Sequence, residues 1–112
     1  MQDLKKQANV IYSDLLAVFK KLEIDKKLVE LKELEKKSFS EDFWQNSINA
    51  SQHMKLQSKL SDEISPWLEI QKKLKDLIEI IELEDSSLEV EIRNQLMNLT
   101  KQLESSKKVL KF

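Results

Sequence analysis

The chain holds one histidine, His53, and no cysteine. Zinc sites are built from several His or Cys ligands, so these residues cannot form one. A di-metal carboxylate site in a helical bundle needs Glu-x-x-His on two helices, and one His cannot supply both. His53 lies on the run Ala50, His53, Gln57, Leu60, the extension of an apolar seam. Its expected role is a half-buried rim residue rather than a ligand or a base. The adjacent carboxylates Asp62 and Glu63 have no cation or apolar pocket marked out to split their pKa values, which acid–base work requires. A phosphate-cradling loop needs glycine, and the chain has none. No hydroxyl has a base partner at a recognisable spacing. The expectation is a chain that is not an enzyme, with no cofactor and no metal.

Binding chemistry is left. Lys26, Lys27, Lys32, Lys36, Lys37, Lys72, Lys73 and Lys75 are candidates for a basic face. They are interleaved with acids, and the net charge is −1, so no global field attracts DNA or an anionic membrane. Aromatic stacking residues do not alternate with them, as single-strand readers require; a peripheral phosphate contact fits this pattern and sequence readout does not. The other cluster is aromatic. Phe39, Phe43 and Trp44 fall within Ser38–Asn46, a stretch of small polar residues that interrupts helix formation. Two roles are open to them, a plug at one end of a bundle or a docking surface. The plug is the stronger expectation, because buried aromatic area is the larger energetic term.

The elements that must position these residues are helices. Charged residues make up 35% and glycine is absent, a composition close to that of long helices and poor in turn formers. Leu60, Ile64, Trp67, Leu74, Ile78 and Ile81 form a stripe with heptad spacing, and Gln71 fills the skipped position. Leu68, Ile70 and Leu77 widen it toward a bundle core. The first helix is expected over 3–23, on Leu4, Ala8, Ile11, Leu15, Val18 and Leu22. The second covers 25–37 with Asp25 as its N-cap. Lys32 and Lys36 can pair there with Glu33 and Glu35. The third runs over 47–83 behind Asn46 or Ser47. Pro66 either kinks or breaks it, and the unchanged apolar phase favours a kinked, continuous helix. Ser86-Ser87-Leu88-Glu89 reads as a capping box that opens a fourth helix over 87–110, with its seam on Ile92, Leu96, Leu99, Leu103 and Leu110. A tight turn between matching stripes implies an antiparallel hairpin. The fold class is therefore all-α: one domain over 1–112, an antiparallel bundle or coiled-coil-like hairpin of about four helices, the third long and kinked. No apolar run reaches the length of a membrane span, and no signal peptide opens the chain. The expected compartment is the cytoplasm.

Several segments in order resemble the bacterial peptide chain release factor 2 family. They are Ile24-Asp25-Lys26-Lys27, Leu31-Lys32-Glu33-Leu34-Glu35, Asp42-Phe43-Trp44, and Ala50. Leu74-Lys75-Asp76-Leu77 with Ile80-Ile81-Glu82-Leu83 is similar to that family's L-x-D-L…L-L-E-L run. Leu103 to Phe112 resembles the close of its N-terminal domain. Glu41 stands where the family often has proline, and Pro66 interrupts a helix expected to lack it.

The resemblance implies a part in translation termination. Such factors act on the ribosome at the stop codons UAA and UGA and promote peptidyl-tRNA hydrolysis. Their codon-reading Ser-Pro-Phe and catalytic Gly-Gly-Gln lie in later domains, and a chain without glycine cannot hold the latter. Ser65-Pro66-Trp67 sits inside the heptad helix, a coincidence of letters. The resemblance thus implies an excised, non-catalytic N-terminal domain. It would position the factor near the ribosomal stalk base, against protein L11 and associated ribosomal RNA, and hinge on the remaining domains of the same factor. Lys32, Lys36 and Lys37 would be the ribosome contact; Phe39, Phe43 and Trp44 would form the bundle end or dock another domain. The expected state is a monomer. The alternative from the heptad pattern alone is a free-standing helical adaptor or coiled-coil interaction module.

Overall fold

In the computed structural model, residues 1–109 are described. Among them are four α-helices: α1 (Gln2–Leu22), α2 (Ile24–Lys37), α3 (Ser47–Glu82) and α4 (Glu89–Val109). Two 3-10 turns, Glu41–Gln45 and Ser86–Leu88, precede α3 and α4, and there is no strand among the described residues. The protein is an all-α helical bundle with a long third helix. Leu110, the last expected seam position of α4, lies outside the described residues. The chain divides into two compact units, Met1–Val18 with Pro66–Phe112, and Phe19–Ser65.

The first unit packs three apolar stripes. From α1 come Leu4, Ala8, Ile11, Leu15 and Val18; from α3, Trp67, Ile70, Leu74, Leu77 and Ile81; from α4, Ile92, Leu96, Leu99 and Leu103. All are buried, so each helix hides the one face that water penalises. Residue pairing gives the directions. Lys5, Ala8 and Asn9 share a groove with Ile78, Ile81 and Glu82, and Lys5 Nζ bonds Glu84 Oε1 at 2.9 Å, so α1 and α3 are antiparallel. Lys73 and Leu77 share a groove with Gln102, Gln95 and Leu99, making α3 and α4 the expected antiparallel hairpin. Val10 and Ile11 line a groove with Thr100 and Leu103, and Lys107 pairs with Asp14, so α1 and α4 run parallel.

The buried line on α3 follows the expected stripe at Leu60, Ile64, Trp67, Leu74 and Ile81, and the residues expected to widen it, Ile70 and Leu77, are buried as well. Ile70 takes the place left to Gln71, and Leu77 is buried where Ile78 is only half-buried. Two sides of α3 are covered here, by α1 and by α4, so the wide face rather than a narrow heptad seam decides which residues go inward. Pro66 is exposed and α3 is helical on both sides of it. The carbonyl it cannot satisfy is that of Asp62, an exposed residue. Ser65 Oγ donates to the Ser61 carbonyl at 2.6 Å, one turn back.

The second unit is a helical hairpin. Lys27 pairs with Glu63 at 3.6 Å and Leu34 with His53 at 2.8 Å, so α2 and α3 are antiparallel. Phe19, Ile24, Leu31, Ala50, Leu60 and Ile64 are its buried apolar residues. The expected pairing of Lys32 and Lys36 with Glu33 and Glu35 is not among the ion pairs of the described residues; α2 uses Lys26 and Lys27 instead.

With no glycine available, two corners use glutamate in the left-handed region. Glu23, at φ 54° and ψ 46°, is the single residue between α1 and α2, and Glu84 has φ 53° at the end of α3. Because Glu23 turns the chain alone, α2 starts at Ile24. Asp25 therefore sits inside the first turn, complementing the helix dipole, and is not the N-cap expected of it. The cap before α4 is also displaced. Asp85 accepts from the Ser87 backbone N–H at 3.0 Å and from Ser87 Oγ at 2.7 Å, in place of a capping box led by Ser86. A carboxylate is the stronger acceptor, and it reaches the turn one residue earlier.

Hydrogen bonds to three ionised groups tie the first unit to pH. The bond from Lys5 holds the Glu84 carboxyl below its ordinary 4.5, and those from Ser87 hold Asp85 below 3.8. The hydrogen bond to Asp14 holds the Lys107 ammonium above its ordinary 10.5. A depressed carboxyl stabilises the fold above its unfolded pKa and loses that effect as pH falls through the folded value. A raised ammonium stabilises below 10.5 and loses its effect as pH climbs through the folded value.

Three outcomes follow for stability. Leu74→Ala, in the centre of the first unit, should cost about 2–5 kcal/mol in chemical denaturation, whereas Val10→Ala, at a residue 69% exposed, should stay within about 0.5 kcal/mol. Glu23→Gly should stabilise by about 0.5–1 kcal/mol, because the left-handed backbone costs glycine nothing. In thermal melts, Lys107→Met should flatten the loss of Tm above pH 10.5 and leave the acid side unchanged.

Candidate functional site

The residues proposed for binding gather in the second unit, where α2 ends and α3 begins. An α-helix leaves its last carbonyls without intrahelical partners. Here they are satisfied without glycine. The Ser38 backbone N–H bonds the carbonyls of Leu34 and Glu35 at 3.3 and 3.1 Å, and Ser38 Oγ donates to the Glu35 carbonyl at 2.6 Å. Phe39 N–H reaches the Lys36 carbonyl and Ser40 N–H the Lys37 carbonyl, both at 3.2 Å. These short-range bonds tighten the end of α2 into a turn. Ser40 is then extended, at φ −77° and ψ 136°, and the chain enters the 3-10 turn Glu41–Gln45.

Two aromatic residues and His53 fix that turn to both helices. Trp44 Nε1–H donates to the Ser38 carbonyl at 3.1 Å. The Phe43 ring meets Trp44 edge to face, with centroids 4.8 Å apart at 86°. It also meets the imidazole of His53, again at 4.8 Å, at 77°. Such T-shaped pairs are favoured by the ring quadrupoles. His53 Nε2 lies 2.8 Å from the Leu34 carbonyl. A carbonyl only accepts, so Nε2 carries the proton in this bond. The result is one continuous connection from Leu34 through His53, Phe43 and Trp44 to Ser38. After the turn, Asn46 Oδ1 accepts from Asn49 N–H at 3.1 Å, so Asn46, one of the two expected caps, opens α3.

The aromatic plug is not formed. Phe39 is 83% exposed and Trp44 58%, and only Phe43 is half-buried. Two helices and a five-residue turn leave no third wall to cover the outer rings. Ile48, in the first turn of α3, is exposed beside them in sequence. Lys32, Lys36 and Lys37 are exposed and in no ion pair among the described residues. Lys36 and Lys37 occupy the last turn of α2, shortly before Phe39 in the chain; Lys32 lies a turn further back. Glu41 and Asp42 stand exposed at the start of the 3-10 turn. The arrangement is an exposed aromatic turn tied to both helices, with two exposed cations in the last turn of α2 before it and two exposed carboxylates at its own start. It carries no nucleophile paired with a base. No group of three or more His, Cys, Asp or Glu among the described residues could hold a metal ion, and no described helix is long and apolar enough to cross a membrane.

His53 is the residue whose role the sequence understates. It is a half-buried rim residue, as its place on the seam implies, but it also clamps the turn. The available signal is a polar ring at the end of a seam, opposite the carbonyls that close α2.

Removing the clamp should free Trp44. His53→Ala or Phe43→Ala should lower the steady-state anisotropy of the exposed tryptophan and increase its quenching by iodide. Helicity by circular dichroism should change little. Unaltered anisotropy in both variants would show that these rings do not hold the turn. In comparisons with known proteins, the chain matches no family model, no curated protein and no solved structure.

Proposed function

We propose that this chain acts in translation termination, as a non-catalytic N-terminal helical domain of a peptide chain release factor. Its work is to position the factor on the ribosome, near the stalk base and its protein L11 and RNA. The ordered likeness of the segments between Ile24 and Phe112 to the release factor 2 family supports the reading. One structural observation carries it. The Asp42-Phe43-Trp44 turn, part of that likeness, is tied by the Trp44–Ser38 hydrogen bond and the Phe43 ring contacts, leaves Trp44 exposed, and follows Lys36 and Lys37 at the end of α2. A domain whose task is docking needs such a preorganised head, since ordering it in advance lowers the cost of binding. The remaining domains of the factor would supply codon reading and hydrolysis.

Pelleting with ribosomes tests this. The chain should sediment with them, and the double variant Lys36→Glu/Lys37→Glu should associate about tenfold or more weakly while keeping its helicity. Binding of the unaltered chain should also weaken as salt rises. Binding that ignores both salt and the double variant would sink the assignment of the lysines.

The second reading is a free-standing helical adaptor. The heptad spacing of the apolar stripes favours it, since that pattern serves any helical partner equally well. Analytical ultracentrifugation separates the two. Oligomers that persist at low micromolar concentration support the adaptor, and a monomer supports the release-factor domain.

A further inference from the structure

We propose that the exposed turn is a stacking platform for one unpaired RNA base, with Lys36 and Lys37 holding the phosphate beside it. This rests on the ribosome-facing reading of the same tip and names its ligand as an RNA loop rather than a protein surface.

The state of Trp44 is the starting point. The only polar atom of its side chain, the indole N–H, is engaged inside the turn by the Ser38 carbonyl. What it offers outward is ring surface. Phe43 supports that ring through one edge-to-face contact and is itself supported by His53 through another, so the orientation is set before any ligand arrives. Phe39 adds a second exposed ring. Every base has a π face, and a fixed aromatic plane needs no further polar group to receive one.

Charge selects the ligand. Lys36 and Lys37 are exposed, have no ion pair among the described residues, and closely precede Phe39. The first turn of α3 holds no acidic residue, so the positive end of that helix is left unneutralised. Glu41 and Asp42 repel phosphate from the 3-10 turn itself. Glu33 and Glu35 are also exposed on α2, so the attraction is local rather than a broad field: Lys36 and Lys37, the last cations of that helix, are the groups a phosphate would meet next to the turn that carries Trp44. A paired helix hides its base faces, so the fitting partner is a loop or bulge with an unstacked base.

The test uses the whole chain and its own fluorescence. Only two tryptophans are present, and Trp67 is 2% exposed, so quenching by a bound base reports on Trp44. The probe is an RNA hairpin with a single-stranded purine loop, set against a blunt RNA duplex of the same length. The hairpin should quench the exposed emission and bind more tightly than the duplex. Trp44→Leu should weaken hairpin binding about five- to a hundredfold, the range expected when one base loses its stacking partner. Lys36→Glu/Lys37→Glu should lower the slope of log affinity against log salt by about 0.7 for each phosphate no longer neutralised. Phe39→Ala, at a residue the turn does not need, should weaken binding severalfold and serves if the Trp44 variant disturbs the fold. Equal binding of hairpin and duplex, or hairpin affinity unchanged in both aromatic variants, overturns the proposal. So does pelleting with ribosomes that depends on Trp44 without any binding of the hairpin, which marks a protein-facing surface. Hairpin binding without ribosome pelleting supports the platform and defeats the ribosomal reading; pelleting unaffected by the aromatic variants does the reverse.

Discussion

Three apolar stripes, each too narrow to form a core alone, bury one another in the unit built from Met1–Val18 and Pro66–Phe112. The direction of every helix there follows from that burial. α3 carries the widest face because it is covered on two sides, and this is why Ile70 and Leu77 are inside. The ion pairs Lys5–Glu84 and Lys107–Asp14 join α1 to the end of α3 and to α4. They are partly exposed, so they set register and contribute little to stability beside the apolar core.

The hairpin of α2 and the first part of α3 obeys a different constraint. Its apolar residues are few, and its outer end has to close without glycine and without a third helix. Hydrogen bonding does the closing. Every carbonyl from Leu34 to Ser38 finds a donor in the turn, in Trp44 or in His53. The aromatic rings serve geometry rather than burial, and one consequence is that Phe39 and the face of Trp44 stay in water. A protein that keeps such rings exposed leaves them free to meet something else.

Much of the fold is legible in the sequence because helical periodicity is a signal summed over many residues. The stripes on α1 and α4 agree with the buried residues at nearly every position, and so does most of α3. The departures are local. Asp25 and Ser86 are plausible caps, but neighbouring carboxylates and a left-handed Glu23 offer alternatives that differ by little energy, and periodicity does not weigh them. The aromatic cluster is visible as a cluster; its exposure is not, since burial depends on what else is near, and the letters do not say that nothing covers it. The basic residues are visible as well. That Lys26 and Lys27 find acidic partners, while Lys36 and Lys37 have none among the described residues, depends on which face of α2 each one occupies.

The interleaving of the two units bears on the order in which they can form as the chain leaves the ribosome that makes it. The hairpin unit is one uninterrupted stretch, Phe19–Ser65, so everything it needs has been synthesised once Ser65 emerges. The other unit is discontinuous. Its α1 stripe is made first and must wait, apolar side chains uncovered, until the α3 stripe from Trp67 to Ile81 is made, and its covering is complete only when α4 has been made through Leu103. Loop closure over such a span costs more than closing a hairpin, and a waiting stripe is open to capture by chaperones or by another nascent chain. Synthesis therefore imposes a vectorial sequence, hairpin before bundle, that refolding from denaturant does not.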